Sequence, residues 1–274
     1  MSRPRASAAF LNAGMALAAV LTVIPFAWML SVSLMTPGEA NTFPPPFVPR
    51  TPTLENYRLL FTRLDVGRYA FNSALIATVT TVLSLLFNSM AGYAFARLRF
   101  AGRDRIFKVL LMILVVPAQV AMLPLFLLMR ELGLVNSYAG VILPGVAGVF
   151  GIFLVRQYAL SIPQELLDAA RVDGAGEWRI YRSIVLPLCR PVLVTLGLFT
   201  FMGQWNDFMW PLIVLSDGAK HTLPVALAGL IGEHAPDTEL MMAGSVFTIL
   251  PVLVLFLALQ RAYISGIMMG GVKE

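Results

Sequence analysis

The sequence has few of the residues that build disulfide frameworks, metal centres and water-exposed surfaces. Its 274 residues include one cysteine, Cys189, which excludes a disulfide framework, a cysteine-based zinc site and an iron–sulfur cluster. The two histidines, His221 and His234, lie thirteen positions apart in a polar stretch, so no metal site is predicted. Only 13% of the residues are charged, about half of the roughly 25% found in soluble domains. With 58% hydrophobic residues, the protein is expected to face something other than water.

Motifs for nucleotide chemistry are also missing. No glycine-rich phosphate loop of the G-x-x-x-x-G-K-[ST] type occurs in the sequence, so the chain is not expected to bind ATP in that way. No cluster of polar residues has a spacing useful for catalysis, and no catalytic residue or cofactor is predicted. A membrane enzyme is therefore disfavoured.

Long apolar runs dominate what remains. A helix needs about 20 residues without charge to cross a hydrocarbon core of about 30 Å. Six stretches satisfy this or nearly so: 10–34, 69–96, 109–129, 132–155, 191–215, which only Asp207 interrupts, and 240–260. The fold class predicted is an all-α membrane protein with six transmembrane helices. The first run is too long for a typical signal-peptide core, which favours a retained anchor over a cleaved signal.

Proline and glycine predict details of these spans. Pro117, Pro124 and Pro144 are expected to break spans three and four. Gly145, Gly148 and Gly151 are expected to allow close helix packing in the fourth span.

The distribution of basic residues predicts the orientation. With the N-terminus inside, fourteen of the twenty lysines and arginines fall in cytoplasmic segments, which is the bias expected of a multi-pass protein. Both termini are therefore predicted to be cytoplasmic, and the net charge of +5 indicates topology rather than nucleic-acid binding. Two parts are expected: an N-terminal span with the first outer loop at 1–68, and a core of five spans at 69–274. The core carries a long cytoplasmic loop at 156–190.

That cytoplasmic loop contains residues that favour the start and the end of a short helix. Ser161 can cap it, Pro163 suits its first turn, and Gly174 is placed to end it. A second short helix is predicted through Trp178 and Tyr181. By these features alone, a loop lying at the membrane interface is an equally good interpretation.

The residues of this loop resemble a known signature. Asp168-Ala169-Ala170, three residues, Gly174, nine residues and Ile184-Val185-Leu186-Pro187 match the spacing of the EAA motif. That motif belongs to permease subunits of binding-protein-dependent ATP-binding-cassette (ABC) importers, and 172–175 is similar to the carbohydrate-uptake branch. The stretches 25–31, 52–57, 91–97, 205–212 and 223–225 also look like the maltose-type second permease. The resemblance covers nearly the whole chain.

The resemblance implies a MetI-like permease core in the cytoplasmic (inner) membrane of a bacterium or archaeon. It implies a second, homologous permease subunit, a dimer of ATP-binding subunits that bind ATP and magnesium, and a sugar-binding protein. In this family the inner-loop helix seats in a cleft of the ATPase subunit. The residues that match this coupling region are Glu165, Asp168, Ala169, Ala170, Arg171, Asp173, Gly174 and Pro187.

Two positions of the coupling region leave questions open. Asp168 stands where the family usually has glutamate, so the charge is kept on a side chain one carbon shorter, and Glu165 is the alternative acid. Arg171 is equally compatible with a contact to the ATPase and a contact to phospholipid headgroups.

Polar residues in the fifth span form a second candidate site. Gln204, Asn206 and Asp207 are candidates for the translocation path, although an interfacial carboxylate near Lys220 is the simpler interpretation of Asp207. The flanking Trp205 and Trp210 suit either a sugar path or membrane-interface anchors. By its position in the resembling family, the outer segment 218–237 is a hypothetical docking site for the binding protein.

An ion-coupled secondary transporter is the main alternative function. Proline-broken spans are common in such proteins, but the sequence has no intramembrane charge pair to couple ions. A permease subunit of an ABC importer leaves fewer residues unexplained.

Overall fold

The computed structural model describes residues 5–233 and 237–271, and all regular structure in these two ranges is helical. The α-helices are α1 (Arg5–Ser33), α2 (Glu55–Thr62), α3 (Val66–Arg97), α4 (Arg103–Ile113), α5 (Ala118–Glu131), α6 (Tyr138–Ile142), α7 (Val149–Ala159), α8 (Gln164–Val172), α9 (Glu177–Ile180), α10 (Leu186–Leu188), α11 (Arg190–Trp205), α12 (Met209–Val214), α13 (Leu223–Glu233) and α14 (Thr238–Gly271). A π-helical turn, Tyr181–Val185, joins α9 to α10.

Within these described ranges, four helical segments are long and apolar enough to cross a membrane: Phe10–Ser33, Val66–Arg97, Tyr138–Ala159 and Thr238–Ala258. Two further candidates are helix pairs with a sharp bend between their halves. The pair α4 and α5 bends by 106°, and the pair Glu177–Leu188 and Arg190–Trp205 bends by 76°. The number of candidate spans is therefore four, or six if each bent pair is one span.

The prolines act differently from one another. Pro117 is the N-cap residue of α5, directly after the bend, and Pro144 lies in a 3-10 turn, Leu143–Gly145, so breaks occur at both positions as predicted. The prediction for Pro124 is wrong, because α5 runs through it. Neighbouring groups re-satisfy a backbone freed by proline inside many membrane helices.

The run predicted at 191–215 is not one helix. The helix α11 ends at Trp205, and α12 begins at Met209. Asn206 donates from Nδ2 to the carbonyl of Met202 (2.8 Å), and Asp207 Oδ1 accepts from the backbone N–H of Trp210 (3.4 Å). These two side chains bond to the backbone at the break, so they favour ending one helix and starting another.

The chain divides into two compact units. One comprises Met1–Gly67 with Ala226–Pro251, and the other comprises Arg68–Val225 with Val252–Glu274. In the first unit, Asn56 Nδ2 donates to the carbonyls of Ser33 (3.0 Å) and Met35 (2.8 Å), which fixes α2 against the end of α1. The carboxylate of Glu239, 1% exposed, accepts from the backbone N–H of Ala40 (2.8 Å).

The second unit packs around α3 through glycine contacts. A Cβ at Gly92 would lie 2.7 Å from Cβ of Val155, and one at Gly151 would lie 2.5 Å from Nδ2 of Asn88. Gly145 is equally close to Thr80, with 2.7 Å from such a Cβ to Cγ2. The predicted close packing is therefore present at two glycines of the fourth span. Gly148 is the exception, because it precedes α7 and has open space around it.

Candidate functional site: the loop between α7 and α11

The short helix predicted in the long loop is α8. Its N-cap residue is Pro163, whereas Ser161 donates its hydroxyl back to the carbonyl of Tyr158 (2.7 Å), so the predicted capping by Ser161 is wrong. The predicted end at Gly174 is confirmed. Gly174 has φ +80°, its N–H donates to Arg171 O (3.0 Å), and the N–H of Ala175 donates to Ala170 O (2.9 Å). This is a Schellman motif, in which glycine adopts the left-handed conformation without a Cβ penalty.

One face of α8 is anchored and the other is free. Leu167 is 0% exposed and packs in a cluster with Tyr93, Ala159, Ile162, Ile180 and other buried residues. The opposite surface presents Glu165, Asp168, Ala169 and Asp173 to solvent. Val172 is 87% exposed at the end of this surface. A short helix that is packed against the protein on one face and exposed on the other has the form of a docking element.

Arg171 is paired within the chain. Its Nη1 donates to Asp168 Oδ1 (2.7 Å) and its Nε donates to Glu177 Oε1 (2.8 Å). The same oxygen of Asp168 accepts from Nε2 of Gln164 (3.0 Å). The hydrogen bond from Gln164 and then those from Arg171 hold the pKa of Asp168 below its usual range, and Glu177 raises the pKa of Arg171. In this conformation Arg171 links α8 to the first residue of α9.

Two residues of α3 complete this arrangement. The hydroxyl of Tyr93 donates to Glu177 Oε2. Arg97 donates from Nε to the carbonyl of Ala159 (3.0 Å), from Nη2 to the carbonyls of Leu160 (3.0 Å) and Ile162, and from Nη1 to Gln164 Oε1 (2.8 Å). The turn between α7 and α8 is thus bound to the end of α3. A cleft of 670 Å³ lies here, lined by Ala96, Arg97, Leu98, Arg99, Arg103, Gln164, Asp168, Arg171 and Glu177.

Sequence reasoning missed Tyr93, Arg97 and Glu177 as site residues. Both α3 residues fall in the stretch 91–97 that resembles the maltose-type permease, which was the available signal. Nothing in the sequence marked Glu177. Pro187, predicted with the coupling residues, lies half-buried in α10, beyond the π-helical turn.

The candidate path residues lie at the break between α11 and α12. Gln204 is half-buried on α11, Asn206 is exposed and Asp207 is half-buried. Lys220 does not pair with Asp207. Its Nζ donates to the carbonyl of Asn136 (2.9 Å) and lies 3.8 Å from Asp217 Oδ2.

Neither interpretation of the two tryptophans fits their surroundings. Trp205 is 3% exposed and Trp210 is 7% exposed. Trp210 donates from Nε1 to the carbonyl of Gly140 (3.1 Å), and Trp205 stacks on Phe201 with ring centroids 6.0 Å apart. Rings buried this deeply present little surface to a sugar or to lipid, so both residues are part of the packing in this conformation.

The first part of the segment 218–237 is fixed to α3. Nδ2 of Asn72 donates to the carbonyls of Ala219 (3.0 Å) and His221 (2.9 Å), and Ser73 Oγ accepts from the N–H of Leu223 (2.8 Å). His234 and its neighbours at 235 and 236 lie outside the described residues.

Residues 88–268 match the family described as binding-protein-dependent transport system inner membrane component. The chain belongs to this family. Among curated relatives, the arabinooligosaccharides transport system permease protein AraQ of Halalkalibacterium halodurans is 42% identical, over 96% of this chain and 95% of that protein. The lactose transport system permease protein LacG of Rhizobium radiobacter is 37% identical, over 94% of each chain.

Solved structures agree on the fold. A chain of a bacterial ABC transporter involved in the import of the acidic polysaccharide alginate superposes with a TM-score of 0.83, at 25% identity, over 95% of this permease and 98% of that chain. A chain of the MetNI methionine ABC transporter gives a TM-score of 0.53 at 17% identity, over 73% of this permease and 95% of that chain, which supports the MetI-like fold.

Family membership also decides between the two transport hypotheses. The chain is a permease subunit of a binding-protein-dependent ABC importer, and no finding favours the ion-coupled alternative. The resemblance stated from the EAA motif is confirmed.

Proposed function

We propose that this permease forms half of the translocation path for a sugar, most simply a di- or oligosaccharide. The observation that supports this is end-to-end similarity to sugar permeases. Two of these are named for arabinooligosaccharides and lactose, and a third, MelC of Bacillus subtilis, for melibiose, raffinose and stachyose at 33% identity over 94% of each chain. Gln204, Asn206 and Asp207 are our candidates for contacts with sugar hydroxyls, because amides and carboxylates pair with them.

The proposed architecture has six spans, counting each bent helix pair as one, with both termini in the cytoplasm of a bacterium or archaeon. The distribution of basic residues supports this orientation. The proposed partners are a second homologous permease, a dimer of ATP-binding subunits and a sugar-binding protein. ATP and magnesium are bound by the ATP-binding subunits, and this chain is not itself an enzyme.

The proposed coupling element is α8. Its exposed surface, with Glu165, Asp168, Ala169 and Asp173, seats in a cleft of the ATPase subunit, and closure of the ATPase dimer around ATP displaces the helix. Small side chains permit a close approach, and the acids can pair with bases of the ATPase. Leu167 and the bonds of Arg97 carry the displacement into the spans, since they fix α8 to them.

The test is the ATPase activity of the assembled complex, with and without sugar-loaded binding protein. Valine at position 174 must adopt a positive φ that β-branched residues avoid, at a cost of about 1–3 kcal/mol, so the end of α8 shifts. The variant Gly174→Val combined with Asp168→Lys is expected to assemble and to lose the stimulation.

The matched control is Gly176→Val. Gly176 has an ordinary backbone conformation, φ −70° and ψ 160°, and no atom within 4 Å of an added Cβ, so stimulation is expected to persist. A double variant that is stimulated like the unmodified complex would rule out α8 as the coupling element. Sugar uptake by the unmodified chain alone, driven by an ion gradient without ATP, would overturn the whole proposal.

A further inference from the structure

The helix α3 is the longest uninterrupted helix of the second unit. It runs from Val66 to Arg97 over 32 residues and contains no proline. At 1.5 Å per residue its length is about 48 Å, which exceeds the hydrocarbon core of a bilayer by more than half. One helix therefore has the reach to touch loops on both sides of a membrane.

One end of α3 is bonded to the coupling region. Tyr93 donates to Glu177, which also accepts from Arg171 of α8, and Arg97 holds the turn that leads into α8. Ser89, a turn further into the membrane, is bonded to the hydroxyl of Tyr181 at 2.8 Å.

The other end is bonded to the opposite loop. Asn72, 2% exposed, donates both N–H groups of its amide to backbone carbonyls of the segment 219–221, and its Oδ1 accepts from the hydroxyl of Tyr138 (2.8 Å). Ser73 accepts the N–H of Leu223. Every hydrogen-bonding position of the Asn72 amide except one acceptor lone pair is thus engaged.

We infer that Asn72 and Tyr93 are positioning residues through which α3 links the segment 217–223 to the coupling helix. The inference rests on the proposed function, with the ATPase at α8, and on the hypothesis that the binding protein docks at the outer segment 218–237. When the sugar-loaded binding protein arrives, the segment shifts and α3 moves as a rigid body. The hydrogen bond between Tyr93 and Glu177 transmits this movement to α8. By linkage, the factor by which the binding protein changes the affinity for ATP equals the factor by which ATP changes the affinity for the binding protein.

A double-variant cycle separates this link from ordinary structural roles. Asn72 and Tyr93 are 21 positions apart, about 32 Å along the helix. Substitutions separated by more than about 10 Å usually act independently, so non-additive effects at this distance indicate an element whose equilibrium both sites bias.

The experiment uses the complete importer in nanodiscs and measures the ratio of ATPase rates with and without sugar-loaded binding protein. Asn72→Ala and Tyr93→Phe are each expected to lower this ratio about fivefold or more, within the usual range of coupling factors. The ratio for the double variant is expected to be no lower than the ratio for the more strongly affected single variant. Asn72→Ala is expected to leave the ATPase rate without binding protein unchanged. Effects that multiply in the double variant, or ratios that stay unchanged, would overturn the inference.

Two further variants keep the test sharp. Thr81→Ala is the matched control, because its hydroxyl bonds only within the helix, to the carbonyl of Ala77 (2.7 Å). Tyr138→Phe removes a single bond from Asn72 and replaces Asn72→Ala if that variant does not assemble. Absence of stimulation in the unmodified complex would instead contradict the proposed function.

Discussion

Asp168, the acid of the motif, finds its partners within the chain itself. Its carboxylate is held by Gln164 and Arg171 of its own helix, within one turn on either side. Glu165 is also exposed, and among the described residues it makes no hydrogen bond or ion pair. In this conformation Glu165, unlike Asp168, is therefore available for the proposed contact with a base of the ATPase.

Glycine positions at helix crossings are the most sensitive single residues. The variant Gly92→Ala places a methyl 2.7 Å from Cβ of Val155 and 3.0 Å from the backbone nitrogen of Arg156. Neither atom belongs to a flexible side-chain end, so a destabilisation of about 1–3 kcal/mol is expected. It is measured as a lower midpoint of thermal unfolding in detergent.

The control for that substitution is Gly148→Ala, at a site with no atom within 4 Å of the added Cβ. Its midpoint is expected to match or exceed that of the unmodified chain, since alanine reduces the entropy of the unfolded state. Equal midpoints for the variants at 92 and 148 would contradict the tight crossing of α3 and α7.

Residue-level prediction succeeded where the cause was local. Gly174 ends α8 because the sequence around it favours a left-handed cap. The bond of Tyr93 with Glu177 joins positions 84 apart, and no local pattern encodes such a pairing. Trp205 and Trp210 were misjudged for the same reason, since only the packed structure shows that they are buried.

At the scale of helices, hydrophobic length predicts where spans lie but not how they bend. The runs at 10–34, 69–96 and 240–260 correspond to the continuous helices α1, α3 and α14, and α1 and α14 run through Pro25 and Pro251. The run at 191–215 contains Asn206 and Asp207, whose side chains bond to the backbone and end α11. The mean hydropathy of about twenty residues stays high despite two such polar groups, so it does not reveal the break in the helix.

The junction of α7 and α8 is expected to depend on Arg97. The variant Arg97→Ala leaves the carbonyls of Ala159, Leu160 and Ile162 without this donor. The turn and α8 then open more often, and faster amide hydrogen exchange is expected in the peptide covering 160–172. Mass spectrometry of the purified complex measures this directly.

The neighbouring Arg99 is the matched control. It is exposed, and the described residues include no hydrogen-bond partner for it, so Arg99→Ala is expected to leave exchange in α8 unchanged. Equal acceleration in both variants would indicate a general effect of removing positive charge.

At the scale of the whole molecule, the proposed orientation can be tested by chemical labelling of introduced cysteines. The one native cysteine, Cys189, is buried at 1% exposure, so a thiol introduced at an exposed site is the main target. In spheroplasts a membrane-impermeant maleimide is expected to label Thr51→Cys, and to label Ser161→Cys only after permeabilisation. Both sites are exposed, in the first loop and in the coupling region respectively.

The unmodified chain gives the background of that experiment. Labelling of Ser161→Cys in intact spheroplasts, with Thr51→Cys protected, would invert the topology and move α8 to the side without ATP.

The length of α3 gives the permease a sensitivity to its lipid surroundings. Asn72 and Tyr93 are about 32 Å apart along the helix, close to the thickness of the hydrocarbon core of an average bilayer. In the proposed orientation, this separation allows both bonded ends to lie near the borders between acyl chains and headgroups. Hydrophobic mismatch in a thicker or thinner membrane is relieved by helix tilt, and tilting α3 moves both bonded ends together. The acyl-chain length of the surrounding lipids is therefore expected to change how strongly the binding protein stimulates the ATPase.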